Sequence, residues 1–327
     1  MSHRPGSQAA VLEPAVRAWL ARELPGQAVV AATLLGGGYS NENILVVTGR
    51  GRYVLRRYRR SSGPAAARTC AVEAALAARL AGTVVPVPEV IAADPEAAET
   101  GEPLLLARHV AGVLVSDAIA ADRGAEAAAT GRAAGEALAA IGSISFERGG
   151  AFTGPDLIPS PAGLPLSLPE FVETCLSAGH AASALSRGEL EGLRALAAEA
   201  DAVAAATAHS RQLVHSDYNG KNLLAVRRGR LWSISAVLDW EFAFSGSPLT
   251  DVGNMLRFSS RYPPGFADGF IAGYQEAGGP LPPGWREISE ALDLYALADF
   301  LTRPPGHPYF GKAVSLIRKR LSRAGRR

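Results

Sequence analysis

The sequence predicts an α+β protein of two unequal parts, a mostly β N-terminal part and a larger, mostly α-helical one. Three observations carry that reading. Residues 28–58 alternate short apolar runs with glycine-containing turns, the texture of antiparallel strands. Beyond Gly112 the chain turns Ala-rich, with apolar residues at helical spacing. Between 213 and 241 strand texture returns, interleaved with His215, Asp217, Asn222, Asp239 and Glu241. The length of 327 residues, 48% hydrophobic and 20% charged, allows two domains and a sizeable core. Gly112 marks the boundary, giving an N-terminal lobe at 1–111 and a C-terminal lobe at 112–327.

In order, Val11, Leu12, Val16, Trp19, Leu20 and Leu24 predict a helix over 9–24, with Pro14 in its first turn. Residues 28–35 then read as a strand, followed by a glycine-rich turn at 36–43 and two more strands joined by a tight turn. The turn holds Gly37, Gly38 and Ser40, and glycine lets backbone N–H groups come close to an anion. It is not a P-loop, because a strand follows it and no GKS or GKT is present. On the third strand, alternation puts Val54 and Arg56 on one face and Leu55 and Arg57 on the other. An arginine pointing with a core residue needs a partner, and Glu73 on the following helix is the evident one. Such a pair facing a glycine-rich turn makes a phosphate clamp.

A Pro-punctuated connection then leads into a strand, and a second apolar strand ends at Gly112. Residues 113–141 read as helical, 142–168 as a long irregular loop, and 169–179 and 188–208 as helices. Past 241, Asp251 either caps a new helix or turns its carboxylate back to amides of the 215–222 loop. Three further helical segments lie near 265–276, 284–302 and 307–324.

The chemistry concentrates at 213–241. Apolar runs at 223–226 and 231–238 flank a basic, Gly-containing turn, the pattern of a hairpin. A hairpin brings its ends together, so Asn222 and Asp239 become neighbours. An amide oxygen and carboxylates suit a hard cation such as Mg²⁺. Asp217, five residues before Asn222, can sit beside the metal as base or orienting group for an acceptor hydroxyl in phosphoryl transfer.

Composition narrows the partners. A net charge of +2 argues neither for nor against an anionic partner, and the basic tail IRKRLSRAGRR reads as a solvated helix end, so no nucleic acid is expected. The N-terminus lacks the build of a signal peptide, and no apolar run approaches the roughly 20 residues of a membrane span, so no membrane partner is expected. Cys70 and Cys175 form no CxxC and read as buried apolar residues, which fits a cytoplasmic protein.

Taken in order, the GlyGlyGlyTyrSerAsn turn, the TyrValLeuArg strand, Glu73, the His215–Asn222 loop, and AspTrpGlu with Pro248 and Asp251 resemble the aminoglycoside phosphotransferase family. The resemblance spans roughly 30–300 and extends to choline kinases and, more distantly, protein kinases. It implies a bilobal protein-kinase-like fold with ATP, or GTP, in the cleft. Asp217 would be the catalytic aspartate, and Asn222 and Asp239 would hold Mg²⁺ on the nucleotide phosphates. Arg56 would stand where the family has lysine or arginine, backbone groups of Arg108 and Val110 would meet the adenine edge, and His215 would support the loop. Three departures stand out: Ser216 in place of the family's glycine, TyrAsnGlyLys in place of LeuHisProGly, and a small Ala107 before the hinge. Asn219 and Lys221 therefore sit near the transferring phosphate, where Lys221 either neutralises charge or faces solvent.

The implied activity is transfer of a γ-phosphate from ATP to a hydroxyl of a small molecule. An antibiotic acceptor (aminoglycoside, nucleoside or other sugar-bearing), as for a resistance kinase, is the leading expectation. A metabolic kinase for an amino alcohol or sugar and a non-catalytic nucleotide-binding relative are the alternatives. Acceptor contacts are expected from 142–168, from 169–180 and near Asp293, Tyr295 and Asp299. A polycationic aminoglycoside would want a strongly acidic pocket, whereas the C-terminal part outside its basic tail is only mildly acidic.

Overall fold

The computed structural model describes residues 9–36, 41–59, 63–121, 126–161, 167–229 and 231–324. The first helix, α1 (Pro14–Glu23), starts later than its apolar spacing implies. Proline takes the first helical position, where its missing N–H is not needed, and the residues before it run extended, with Ala9 bridging Thr33. Strands β1 (Val29–Leu35), β2 (Glu42–Thr48) and β3 (Arg52–Arg57) follow, then helix α2 (Pro64–Leu80) and strands β4 (Val90–Asp94) and β5 (Leu104–Arg108). They form one antiparallel sheet in the order β1-β2-β3-β5-β4. One face buries Ile44, Leu55 and Leu106 against Trp19 and Leu20 of α1. The other buries Leu105 and Ala107 with Tyr58 against Ala66 and Cys70 of α2. The alternation along β3 is as expected, but both arginines are buried, Arg57 among Glu13, Glu42 and Glu102 and Arg56 on the opposite face.

Beyond Gly112 the expected helix over 113–141 is broken into β6 (Val113–Leu114), α3 (Val115–Ala121) and α4 (Ala127–Gly142). A side chain at Gly112 would meet Ser235 Oγ at 2.9 Å, and that close approach lets β6 join the later hairpin. The segment expected to be an irregular loop contains two short strands, β7 (Gly150–Phe152) and β8 (Pro159–Ser160). Helices α5 (Leu168–Ser177) and α6 (Arg187–Ala204) follow. Ser186 Oγ caps α6 by accepting from Glu189 N–H. Next come β9 (Gln212–Val214), the hairpin β10 (Leu223–Arg228) and β11 (Leu231–Val237), and β12 (Phe244–Gly246). The small strands assemble as β8-β7-β12-β9 and the hairpin as β11-β10-β6.

The chain ends in α7 (Leu249–Leu256), α8 (Phe266–Glu276), α9 (Trp285–Leu292), α10 (Leu294–Phe300) and α11 (Pro308–Ala324). The helix expected over 284–302 is thus two helices that meet at Asp293, whose buried carboxylate holds Arg257 and Arg320. The tightest packing is between α4 and α8. A methyl on Gly131 or Gly135 would fall 2.2 or 2.1 Å from the carbonyl oxygen of Phe266 or Phe270, and Gly269 and Gly273 approach α4 equally closely. Four glycines therefore let the two backbones touch. Among the described residues no helix is long and apolar enough to cross a membrane.

Candidate active site

The β10–β11 hairpin does what its sequence predicts. Leu223 pairs with Val237, and Leu238 N–H donates to Asn222 O at 2.8 Å, so Asn222 and Asp239 stand side by side. Beneath them lies His215, fully buried and packed on the Trp240 ring at 4.7 Å. Asp217 N–H donates to His215 Nδ1 at 3.2 Å, which leaves the proton on Nε2 to donate to Leu238 O at 2.8 Å. Burial pushes this ring down to about 4, so it is neutral and ties the loop to the hairpin.

Asp251 takes the second of its two expected roles. Pro248 occupies the cap position of α7, and the buried carboxylate accepts from His215 N–H at 2.7 Å and Ser216 N–H at 2.8 Å. Those bonds hold Ser216 at φ +69°, a left-handed conformation that glycine adopts without strain. Tyr218, fully buried, donates to Ala134 O at 2.6 Å and anchors the same loop to α4.

The loop so fixed presents Asp217. Its Oδ1 accepts from Asn219 Nδ2 and its Oδ2 from Asn222 Nδ2, each at 2.9 Å. Burial raises this carboxyl to about 6; the Arg257 guanidinium and the two amides pull it down, and Asp239 pushes it up. Asn222 spends its amide N–H groups on Asp217, donating to the main-chain oxygen and to Oδ2, each at 2.9 Å.

Across the cleft, Arg56 is held by more than the expected Glu73. Its Nε lies 3.4 Å from Glu73 Oε2, while its Nη2 reaches Asp239 Oδ1 at 2.6 Å and Glu241 Oε2 at 3.7 Å. Tyr58 donates to Glu73 at 2.5 Å, and Asn41 Nδ2 donates to Glu241 at 2.9 Å. Burial pushes the Glu73 carboxyl up, and its carboxylate partners push the Arg56 guanidinium up. Three carboxylates against one guanidinium leave a formal excess of negative charge here. Asp239 itself sits at φ +67°, a second strained non-glycine residue at the centre of the site.

These groups share one cleft of about 1710 Å³. Arg56, Glu73, Arg108, Val110, Asp217, Asn222 and Asp239 all line it. Gly37, Gly38 and Ser40 lie outside the described residues. Arg108 N–H is committed to Glu89 O at 2.8 Å, whereas Val110 has no backbone partner among the described residues. Val54, Val87, Ala107, Leu224 and Val237 give the hinge end an apolar lining from both sides.

The expected acceptor contacts are corrected in part. Phe171, Tyr295 and Asp299 line the cleft, but Asp293 is buried in its ion pairs and no described residue of 142–161 reaches it. Sequence reading missed the wall formed by Arg257, Phe258, Arg261, Tyr309 and Lys312. Lys221, read as neutralising charge or facing solvent, lines the cleft with its Nζ 5.3 Å from the centre of the Tyr309 ring.

A model of the phosphotransferase enzyme family matches residues 31–290. Among solved structures, aminoglycoside phosphotransferase APH(4)-Ia is similar at 19% identity, with a TM-score of 0.69 over 95% of this chain and 98% of that one. A thermostable mutant of that enzyme was solved as a ternary complex with AMP-PNP and hygromycin B. The GDP and kanamycin complex of APH(2″)-IIIa is similar at 16% identity, with a TM-score of 0.65 over 93% and 97%. A Thermobifida fusca protein proposed to be a fructosamine-3-kinase is similar at 19% identity, with a TM-score of 0.61 over 94% and 98%. These likenesses show a protein-kinase-like fold. No curated protein matches the chain significantly.

Proposed function

The chain belongs to the phosphotransferase enzyme family, and from that premise we propose that it moves the γ-phosphate of ATP to a hydroxyl of a small molecule. The observation that supports this most is the convergence of Asp217, Asn222, Asp239 and Arg56 on one cleft between the sheet and the helices. The nucleotide base fits the apolar hinge end beside Val110, with GTP as the alternative donor. The division between lobes falls at 111/112, and the cytoplasm is the compartment that would supply the nucleotide.

Asp217 accepts a hydrogen bond from the acceptor alcohol and orients its oxygen. The amides of Asn219 and Asn222 hold the carboxylate in place for that task, and a value of about 6 leaves it ionised at neutral pH. Arg56 sits at the phosphates. Mg²⁺ fits the remaining donors: Asn222 Oδ1 and the Asp239 carboxylate are hard oxygens, and the excess negative charge around Arg56 is what a divalent cation offsets. Among the described residues no three His, Cys, Asp or Glu side chains are placed to hold a metal by themselves, so nucleotide oxygens would complete its shell. When bound, the ion neutralises phosphate charge as it builds up in transfer. The aminoglycosides of the similar structures make an antibiotic the first acceptor class to try, with a metabolic sugar or amino alcohol second.

ADP release measured with a panel of hydroxyl compounds tests the reading. Asp217→Ala should bind Mg·ATP normally yet turn over about 10²–10⁴-fold more slowly, the range for loss of a positioned base. Turnover near that of the parent protein would sink the assignment.

A further inference from the structure

The helical wall of the cleft carries charge that the phosphate machinery does not use. Lys221, Arg257, Arg261, Arg303 and Lys312 line it, against Asp299 and Asp217. Asp299 is taken by Arg303 at 3.4 Å, and Arg257 is held by Asp293 behind the wall. Lys312 and Arg261 have no carboxylate partner among the described residues. Each lies against an aromatic ring instead: Lys312 Nζ is 4.9 Å from the centre of Tyr309, and the Arg261 guanidinium 5.7 Å from that of Phe258. Phe300 stacks on Tyr309 at 4.9 Å, so the cations rim an aromatic floor. Lys312 and Arg261 share the Phe258 ring, with Lys312 Nζ 5.8 Å from its centre, and Lys312 and Lys221 share Tyr309, so the cations stand close together; burial and the neighbouring Lys221 and Arg261 push the Lys312 amine down. Asp117, another acid of the cleft lining, is on α3, which packs with β6 and β10 on the hinge side.

Cations that are close together and lack counter-ions favour an anion between them. We propose that the acceptor of this phosphotransferase is an alcohol that also carries a carboxylate or phosphate, bound by Lys312 and Arg261. A polycationic acceptor would meet like charge at this wall. The inference rests on the kinase reading, because it is the side of the cleft beyond Asp217, away from Arg56, that is assigned to the acceptor. Cations placed to serve the nucleotide would instead gather at Arg56, where the local excess is acidic.

A charge-matched series tests it on one scaffold. Binding of glucose, glucose 6-phosphate, glucuronate and glucosamine is measured by calorimetry on the full chain loaded with Mg²⁺ and AMP-PNP. Loading comes first, so failure of the kinase reading would appear as absent nucleotide binding before any sugar is added. With the nucleotide site filled, glucose 6-phosphate or glucuronate should bind at least about tenfold more tightly than glucose, and glucosamine most weakly. Comparison of the two anions distinguishes phosphate from carboxylate. Lys312→Met and, separately, Arg261→Met should shrink the gap to about twofold or less without weakening AMP-PNP. Equal binding across the series, tightest binding of glucosamine, or variants that lose AMP-PNP rather than the anionic sugar would each overturn the proposal.

Discussion

The two halves of the cleft are opposite in charge, and each solves its burial problem differently. On the sheet side one guanidinium, Arg56, is surrounded by Glu73, Asp239 and Glu241, all within 3.7 Å of it. On the helix side the cations rest on aromatic rings. Loss of the Arg56 guanidinium would leave three carboxylates together in a poorly solvated place. Cations on ring faces at a partly exposed wall keep much of their hydration, and losing one strands no buried partner. The sheet-side half is therefore built into the fold, whereas the helix-side half is a surface on which charge can be changed at small cost to stability. The difference separates a part of the cleft that is fixed by architecture from a part whose side chains can change at little cost to the fold.

Four substitutions test that contrast, from the largest effect to the smallest. Arg56→Met should destabilise the protein by about 3–5 kcal/mol in urea unfolding, the penalty for stranding buried carboxylates. A loss under about 1 kcal/mol would mean that the sheet-side charges are solvated after all. Asp239→Asn should weaken Mg²⁺-dependent ATP binding by about 100-fold in calorimetry, some 3 kcal/mol. The same change relieves part of the acidic excess, so ligand-free stability should not fall. Third, the His215 ring beneath both halves is depressed to about 4 from an ordinary 6.5, so the unfolded chain takes up a proton first as pH falls. Its stabilising effect is complete above 6.5 and is lost as pH drops toward 4. Between pH 7 and 5 the loss is about 2 kcal/mol, and His215→Gln should flatten that slope. Lys312→Met, on the helix side, should move stability by less than about 0.5 kcal/mol.

Much of this site was legible because its parts are local. Hairpin periodicity at 223–238 placed Asn222 beside Asp239, and alternation along β3 put Arg56 toward the cleft. Asp251 was readable as a residue with two possible roles, and only the packing of α7 beneath the loop chose between them. Strands β7 and β8 were not readable, since three and two residues cannot display an alternation. Nor was the break at Asp293, because the reason for it lies in Arg257 and Arg320, each far away in sequence. The cationic wall is the extreme case. Lys221, the pair Arg257 and Arg261, and Lys312 come from three separate segments, and no window of sequence contains their sum.

The crossing of α4 and α8 has a consequence for tolerance. Tyr218 fixes the catalytic loop by a bond to Ala134 O, one residue from Gly135, whose Cα faces Phe270 O with no room for a methyl. A side chain there would push α4 aside by an ångström or so and carry the anchor of Asp217 with it. If Asp217 meets the acceptor hydroxyl as proposed, the absence of a side chain at Gly135 helps set where that carboxylate stands. Part of the site's precision is thus an empty space on the far side of the helix.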